Sequence, residues 1–391
     1  MMTLRGRFDR VSANPHAREV ATVVLLFTAW RVLLFGFVFL GGAMTRERPD
    51  RDADTFAWQA FPGSYFWDGW ARWDSGWYMT IVEHGYRLQR GGQSNVAFFP
   101  LYPYATVAVS KLVGNPWAAG LIVSNASVLV SLFYLRRIAL HSLDPDGAKR
   151  SLVYLLSFPT SFFLSSFYTE GLFLLVTAAS FYHYLRGDFL RCGVWGFLAC
   201  MTRHAGLALF VAFAIGQAWN VGSRVTRFRA SALWLLLIPC GTLGVMLIMY
   251  IQVGDPLAFL KAHAAWGRSF LLPHQTLARA LARTDWSLPR DMMNTITLMD
   301  AVSVIPFLVL PLLMFRKFDV SLPIYSLLMI VIPLASGSVK SMMRVEAVAF
   351  PAFLALARLG AHRDVDRAIV FISALFLGLL TLQFANWYWV G

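Results

Sequence analysis

The chain has 391 residues, of which 58% are hydrophobic, 15% aromatic and only 14% charged, with a formal net charge of +13. A soluble domain carries about a quarter charged residues, so this composition excludes an ordinary soluble fold and points to a membrane protein with many spans. The basic residues are scattered through short connectors, which argues against a nucleic-acid surface and for a topology signal.

A bilayer crossing needs about 20 mostly apolar residues. Residues 20–40 form the first candidate span, and the basic flank before it (Arg5, Arg7, Arg10, Arg18) belongs in the cytoplasm. Residues 44–96 are then a first external loop, polar at its start (TRERPDRDADT) and aromatic later, where RWDSGWYMTIVEHGY stands at 72–86. FFPLYP opens an apolar run over 98–113, and further candidate spans follow at 117–135, 152–167, 172–185, 194–201, 207–219 and 232–251. A second external loop, 252–295, mixes periodic apolar residues with Lys261, Arg268, Arg279 and Arg283, the pattern of amphipathic helix lying along the interface. Spans at 296–315, 321–334, 345–359 and 368–384 complete a single integral membrane domain over 1–391. Basic connectors at 186–191, 223–229, 316–319 and 358–367 fall on the inside. Counting both 98–113 and 117–135 as full crossings would put Arg136 and Arg137 outside and invert everything downstream. The basic connectors therefore require one of these runs to be re-entrant, or a further segment to hide between them.

Cys192, Cys200 and Cys240 form no CxxC pair and read as small buried hydrophobes. No HxxH or HExxH pattern suggests a metal, and no glycine-rich phosphate loop suggests a nucleotide donor; the sequence implies neither metal nor cofactor.

Ionisable groups near a membrane are costly, so each external one raises a functional question. Asp74 sits between Trp73 and Trp77, with Tyr78 beyond. A carboxylate there suits a general base, with indoles to exclude water and stack on a sugar. The plainer reading is an interfacial aromatic belt in which Asp74 caps a helix starting near Ser75. Glu170, at an outer helix end, is a first-turn carboxylate or part of a site. Arg203, beside His204, must pair with Glu170 or Asp74, or meet a lipid phosphate. Lys340 and Arg344 would share one face if helical and could clamp a phosphate. Glu83, with His84 next to it, lies nine residues from Asp74 and half a turn out of phase on a helix.

Taken in order, RWDSGWYMTIVEHGY, VAFFPLYP, SFPTSFFLSSFYTEGLFLL, TRHAGLAL, GDPLAFLKAHAAWGR and NWYWVG resemble the PIG-V-type mannosyltransferases, which are similar to GPI mannosyltransferase II and fall within the GT-C glycosyltransferases. The resemblance covers most of the chain from Trp73 onward. It implies an all-α polytopic bundle with interfacial helices in its first external loop. It also implies inverting transfer of mannose from a polyprenyl-phosphate-mannose donor to a lipid-linked or protein acceptor on the extracytoplasmic face. Asp74, in the matching WD, takes the role of catalytic base. Trp73, Trp77, Tyr78, Glu83, His84, Glu170, Arg203, His204, Lys340 and Arg344 stand as substrate-binding candidates. The compact chain suggests a prokaryotic plasma-membrane protein whose partners are donor lipid, glycolipid or protein acceptor and the bilayer, without nucleic acid. The rival class is a transporter or flippase of a lipid-linked or anionic substrate, and a scaffold subunit is a third. Polar and aromatic chemistry gathered in two external segments, with no internal repeat, weighs against the transporter.

Overall fold

The computed structural model describes residues 15–44, 59–89, 91–222, 230–284 and 292–391. Arg5, Arg7 and Arg10 of the N-terminal basic flank, the basic connector at 223–229, the polar start of the expected first external loop and residues 285–291 of the expected second lie outside the described residues. What is described is helical, without a strand. Among the described residues five helices are long and apolar enough to cross a membrane: Ala17–Met44, Pro116–Leu140, Ala230–Val253, Met293–Leu312 and Arg363–Ala385. Phe189–Thr202 and Ser321–Leu334 are shorter apolar helices.

The first long helix is α1 (Pro15–Met44), followed by the short α2 (Tyr65–Asp68) and by α3 (Ser75–His84) in the first external segment. Next come α4 (Leu101–Val113) and α5 (Pro116–Leu140). With 13 residues, α4 rises about 20 Å, too little to cross. Near its start the Tyr102 hydroxyl donates to Gly120 O at 3.0 Å, and its end at Gly114 lies next to the start of α5. So α4 returns to the side it came from, and α5 makes the crossing. This carries Arg137 to the end where α1 begins, and its Nε stands 3.1 Å from Glu19 Oε1. The ambiguity over 98–113 and 117–135 is thereby resolved in favour of a non-crossing first run.

The expected spans at 152–167 and 172–185 become α6 (Pro145–Ser157), an irregular stretch, and α7 (Glu170–Leu185). Pro159 is the cause: the residue before a proline is pushed out of helical geometry, and Phe158 has ψ 139°. From Thr160 to Glu170 every residue is buried. Irregular backbone at membrane depth survives only inside protein, with its polar groups satisfied. Here Ser161 Oγ donates to Leu156 O at 2.6 Å, Phe167 N to Trp70 O at 3.0 Å, and Asn125 Nδ2 to Ser165 O at 3.1 Å.

The remaining helices are α8 (Phe189–Thr202), α9 (Leu207–Gly222), α10 (Leu237–Val253), α11 (Ala258–Ala265), α12 (Pro273–Arg283), α13 (Met292–Leu312), α14 (Ser321–Leu334), α15 (Met342–Glu346), α16 (Pro351–Leu359) and α17 (Arg363–Ala385). The expected amphipathic segment at 252–295 holds two short helices, α11 and α12. Close helix contact relies on small residues, because lipid gives no hydrophobic drive between spans. Buried Ser124, Ser127 and Ser131 line α5 where it meets α7, and Gly120 lies against Phe167 just before α7. A Cβ on Gly171 would stand 2.4 Å from Leu164 O and 2.8 Å from Ser124 O.

The helix ends sort into two groups. At one, Glu19 meets Arg137, Arg150 Nε donates to Ala357 O, and the Tyr154 hydroxyl donates to Asp366. At the other, Asn386 Nδ2 donates to Gly41 O, Gln252 receives Tyr86 N–H, and Arg268 reaches Ser336. The segments at 59–89 and 252–284 and the charged candidates named from sequence, Asp74, Glu170, Arg203 and Arg344, belong to the second end.

Candidate active site

The stretch before Asp74 is fixed by a buried ion pair. Arg72, with no side-chain exposure, donates from Nη1 to Asp68 Oδ2 at 2.7 Å and from Nε to Ala385 O at 3.1 Å. Asp68 Oδ1 in turn accepts Ala60 N–H at 2.6 Å. The Arg72 guanidinium lies 4.6 Å over Trp387, so the first external segment is tied to the C-terminal end of α17. Trp73 then takes a left-handed backbone, φ +53°, uncommon for a bulky residue. The Tyr168 hydroxyl braces it from both sides, donating to Arg72 O at 3.0 Å and accepting Asp74 N–H at 3.2 Å.

Asp74 occupies the cap position of α3, yet its side chain makes no cap hydrogen bond, and its backbone is helical at φ −57°, ψ −17°. A capping Asp has extended backbone and accepts from the first turn. Here Oδ2 accepts Arg344 Nη1 at 2.7 Å instead, and Oδ1 has no protein donor among the described residues. The side chain that sequence alone leaves open as a helix cap is held for something else.

Arg344 continues the chain of charge. Its Nε lies 2.9 Å from Glu170 Oε1, and that oxygen also accepts Arg203 Nη1 at 2.6 Å. Asp74, Arg344, Glu170 and Arg203 thus join the first external segment, α15, the start of α7 and the end of α8. Side-chain exposure is 0% at Glu170, 14% at Asp74 and 18% at Arg203, so the network is rooted at Glu170 and opens at both ends. Buried charges persist when paired and hydrogen-bonded. Burial alone would lower the Arg344 pKa, but the carboxylates of Glu170 and Asp74 outweigh it and hold the guanidinium above its ordinary value.

Two more cations feel this cluster. Arg268 donates to Ser336 Oγ at 2.8 Å; burial lowers its pKa, Arg344 adds to the effect and Asp74 opposes it. The Lys340 ammonium stands 5.0 Å from the Trp389 ring; burial lowers its pKa too, and Asp74 again opposes. Neither has a carboxylate within ion-pair distance among the described residues. Cations therefore outnumber carboxylates here, a field that favours an anion.

The two tryptophans belong to separate aromatic clusters. Trp73 meets Trp387 and Trp389 edge-on at 6.0 and 5.5 Å, and its Nε1 donates to Tyr388 O at 3.3 Å. Trp77 stacks on Phe98 at 6.0 Å and meets Trp266 edge-on at 5.8 Å. Tyr78, buried against Phe98, Tyr102 and Tyr168, shares a 3.2 Å hydrogen bond with Thr169 Oγ1, next to Glu170.

One expected geometry fails, and two groups of candidates lie apart from the network. Lys340 and Arg344 do not share a helical face, because α15 starts at Met342 and Ser341, at φ +71°, reverses the chain between them. Glu83 and His84 are 49% exposed at the far end of α3 and face each other at 3.9 Å, apart from the network. His204 is exposed, with its ring 6.2 Å from that of Phe99. The residues sequence reading passed over are Asp68 and Arg72, Tyr168, Arg268 and Asp300. Asp300 had a signal: a lone carboxylate within the apolar run of α13. Among the described residues no group of three or more His, Cys, Asp or Glu side chains is placed to hold a metal ion.

Residues 24–253, more than half of the chain, match the family model described as Mannosyltransferase (PIG-V). The GPI alpha-1,6-mannosyltransferase 2 of Homo sapiens is 30% identical over 167 residues, covering 38% of this chain and 32% of that protein. Its counterpart from Rattus norvegicus is 31% identical over 181 residues, covering 41% and 35%. The similarity thus spans about a third of the length of these curated relatives. In fold, ArnT from Cupriavidus metallidurans bound to undecaprenyl phosphate is similar, with a TM-score of 0.51 at 14% identity, over 93% of this chain and 71% of that one. The architecture is therefore that of the GT-C membrane glycosyltransferases. Asp74, Glu170 and Arg203 fall within the matched residues, whereas Arg268, Lys340 and Arg344 come from beyond them. On this evidence the chain belongs to the PIG-V mannosyltransferase family.

Proposed function

We propose that this chain moves mannose, with inversion, from a polyprenyl-phosphate-mannose donor to a hydroxyl of a lipid-linked or protein acceptor on the extracytoplasmic face. The observation that carries the reading is the Asp74 carboxylate, released from capping, gripped by Arg344 through one oxygen and open at the other. In this reading an acceptor oxygen attacks the anomeric carbon while Asp74 Oδ1 takes its proton. The bond from that carbon to the phosphate oxygen breaks, and the lipid phosphate leaves with the electron pair. Arg268 and Lys340, the cations not bonded to a carboxylate, meet the charge that develops there. Arg344 and Arg203 are occupied by Asp74 and Glu170 and serve to orient the base. A single displacement inverts the sugar carbon. The tryptophan clusters supply flat faces for the mannose.

Family membership supports the sugar, and the undecaprenyl phosphate bound by ArnT supports a polyprenyl-phosphate carrier. The basic connectors at the opposite helix ends, which favour the cytoplasm, support the extracytoplasmic side for the site. The test is to give purified protein in proteoliposomes labelled polyprenyl-phosphate mannose and a membrane lipid extract. Mannose in a new product is the expected result. Lipid translocation without transfer would support the transporter reading instead.

A further inference from the structure

Arg344 can steer Asp74 only if the turn that carries it is held in place, and that turn is not one its own residues prefer. Ser341 stands at φ +71°, in the left-handed region that disfavours a residue with a Cβ. What holds it is a side chain 41 residues earlier. Asp300 Oδ2 accepts Ser341 N–H at 2.9 Å, and Asp300 Oδ1 accepts Met343 N–H, also at 2.9 Å. The carboxylate is 1% exposed, so both oxygens are spent on this backbone. Two lesser ties flank it: Thr160 Oγ1 donates to Met343 O at 2.8 Å, and Ser303 Oγ donates to Glu346 Oε1 at 3.0 Å.

We infer that Asp300 is a positioning residue for the transfer reaction: by binding the N–H groups of Ser341 and Met343 it sets Arg344 against Asp74 and Glu170. The inference rests on the role proposed above for Arg344. A carboxylate is the side chain for the task, because it offers acceptors on both sides and no donor. In Asp300→Asn the amide keeps one acceptor and turns an N–H₂ group toward the other backbone N–H. The turn then loosens, and Arg344 drifts from a geometry in which displacements of about 1 Å cost about 10²-fold in rate.

The experiment compares wild type, Asp300→Asn, Arg344→Gln and the double variant in proteoliposomes, reading kcat, donor KM and thermal stability for each. The expected result is a kcat for Asp300→Asn lowered about 10²-fold, with donor KM changed less than about threefold. The double variant should be no slower than Arg344→Gln alone, because both changes remove the same function. A purely structural residue would instead lower the folded fraction, leave kcat per folded molecule intact and act independently of Arg344. A folded Asp300→Asn with wild-type kcat, or losses that multiply in the double variant, would overturn the inference. Where Asp300→Asn does not fold, Asp300→Glu, which keeps both acceptors one methylene further out, takes its place under the same two criteria. An Arg344→Gln protein at wild-type rate is a separate outcome, and it sinks the proposed role of Arg344 instead.

Discussion

Asp68 and Arg72 are both almost wholly inaccessible, so removing either partner strands the other charge. Arg72→Gln is expected to lower stability by about 3–5 kcal/mol, the scale for breaking a buried pair, visible as a reduced Tm in detergent. An unchanged Tm would mean that Asp68 is neutral or finds another partner. The cations without carboxylates make a different prediction. Lys340→Gln and Arg268→Gln should each raise donor KM about tenfold, the factor for roughly one charge-assisted contact, with kcat less affected. Because burial lowers the Lys340 pKa, its charge is lost at a lower pH than for a free lysine. Donor KM should therefore climb as pH rises toward the alkaline range, and climb less in Lys340→Arg; identical profiles would remove Lys340 from the donor site. At this scale Asp74, Glu170, Arg203 and Arg344 are legible in the sequence, since a charge among apolar neighbours needs a reason. Their pairing is not: Asp74 and Arg344 are 270 positions apart, and only the fold brings them to 2.7 Å. Glu83 and His84 look as promising on paper, yet the turn of α3 carries them away.

Among the elements, the long apolar helices can be read directly, because about 20 apolar residues leave little alternative. The short ones cannot. Residues 98–113 and 152–167 are apolar enough to pass for spans, but α4 stops at 13 residues and α6 ends where Pro159 forbids another turn. That break places Glu170 at the first position of α7, buried inside the protein. The seating of α7 against α5 depends on Gly171, where an added Cβ would collide with backbone oxygens. Gly171→Ala should push α7 outward and take the neighbouring Glu170 off Arg203 and Arg344. The expected outcome is a lower Tm together with a transfer rate reduced at least about tenfold, the range of overpacking strain of 1–3 kcal/mol. A variant with wild-type Tm and rate would show that the two helices can separate without cost.

For the molecule as a whole, the grouping of helix ends makes a topological claim. After replacement of the native cysteines by alanine, a cysteine at Glu83, which is exposed and outside the network, should react with an impermeant thiol reagent in intact cells. One at Arg363 should not. The reverse pattern would turn the protein over and put the site in the cytoplasm. The most direct measurement of the central claim is the rate of mannose transfer by Asp74→Asn against wild type, in proteoliposomes with labelled polyprenyl-phosphate mannose. Asparagine keeps the size of Asp74 and can still accept from Arg344, so fold and donor binding should persist. If Asp74 is the base, transfer falls by about 10²-fold or more. A folded Asp74→Asn protein that transfers mannose at near wild-type rate would contradict the account.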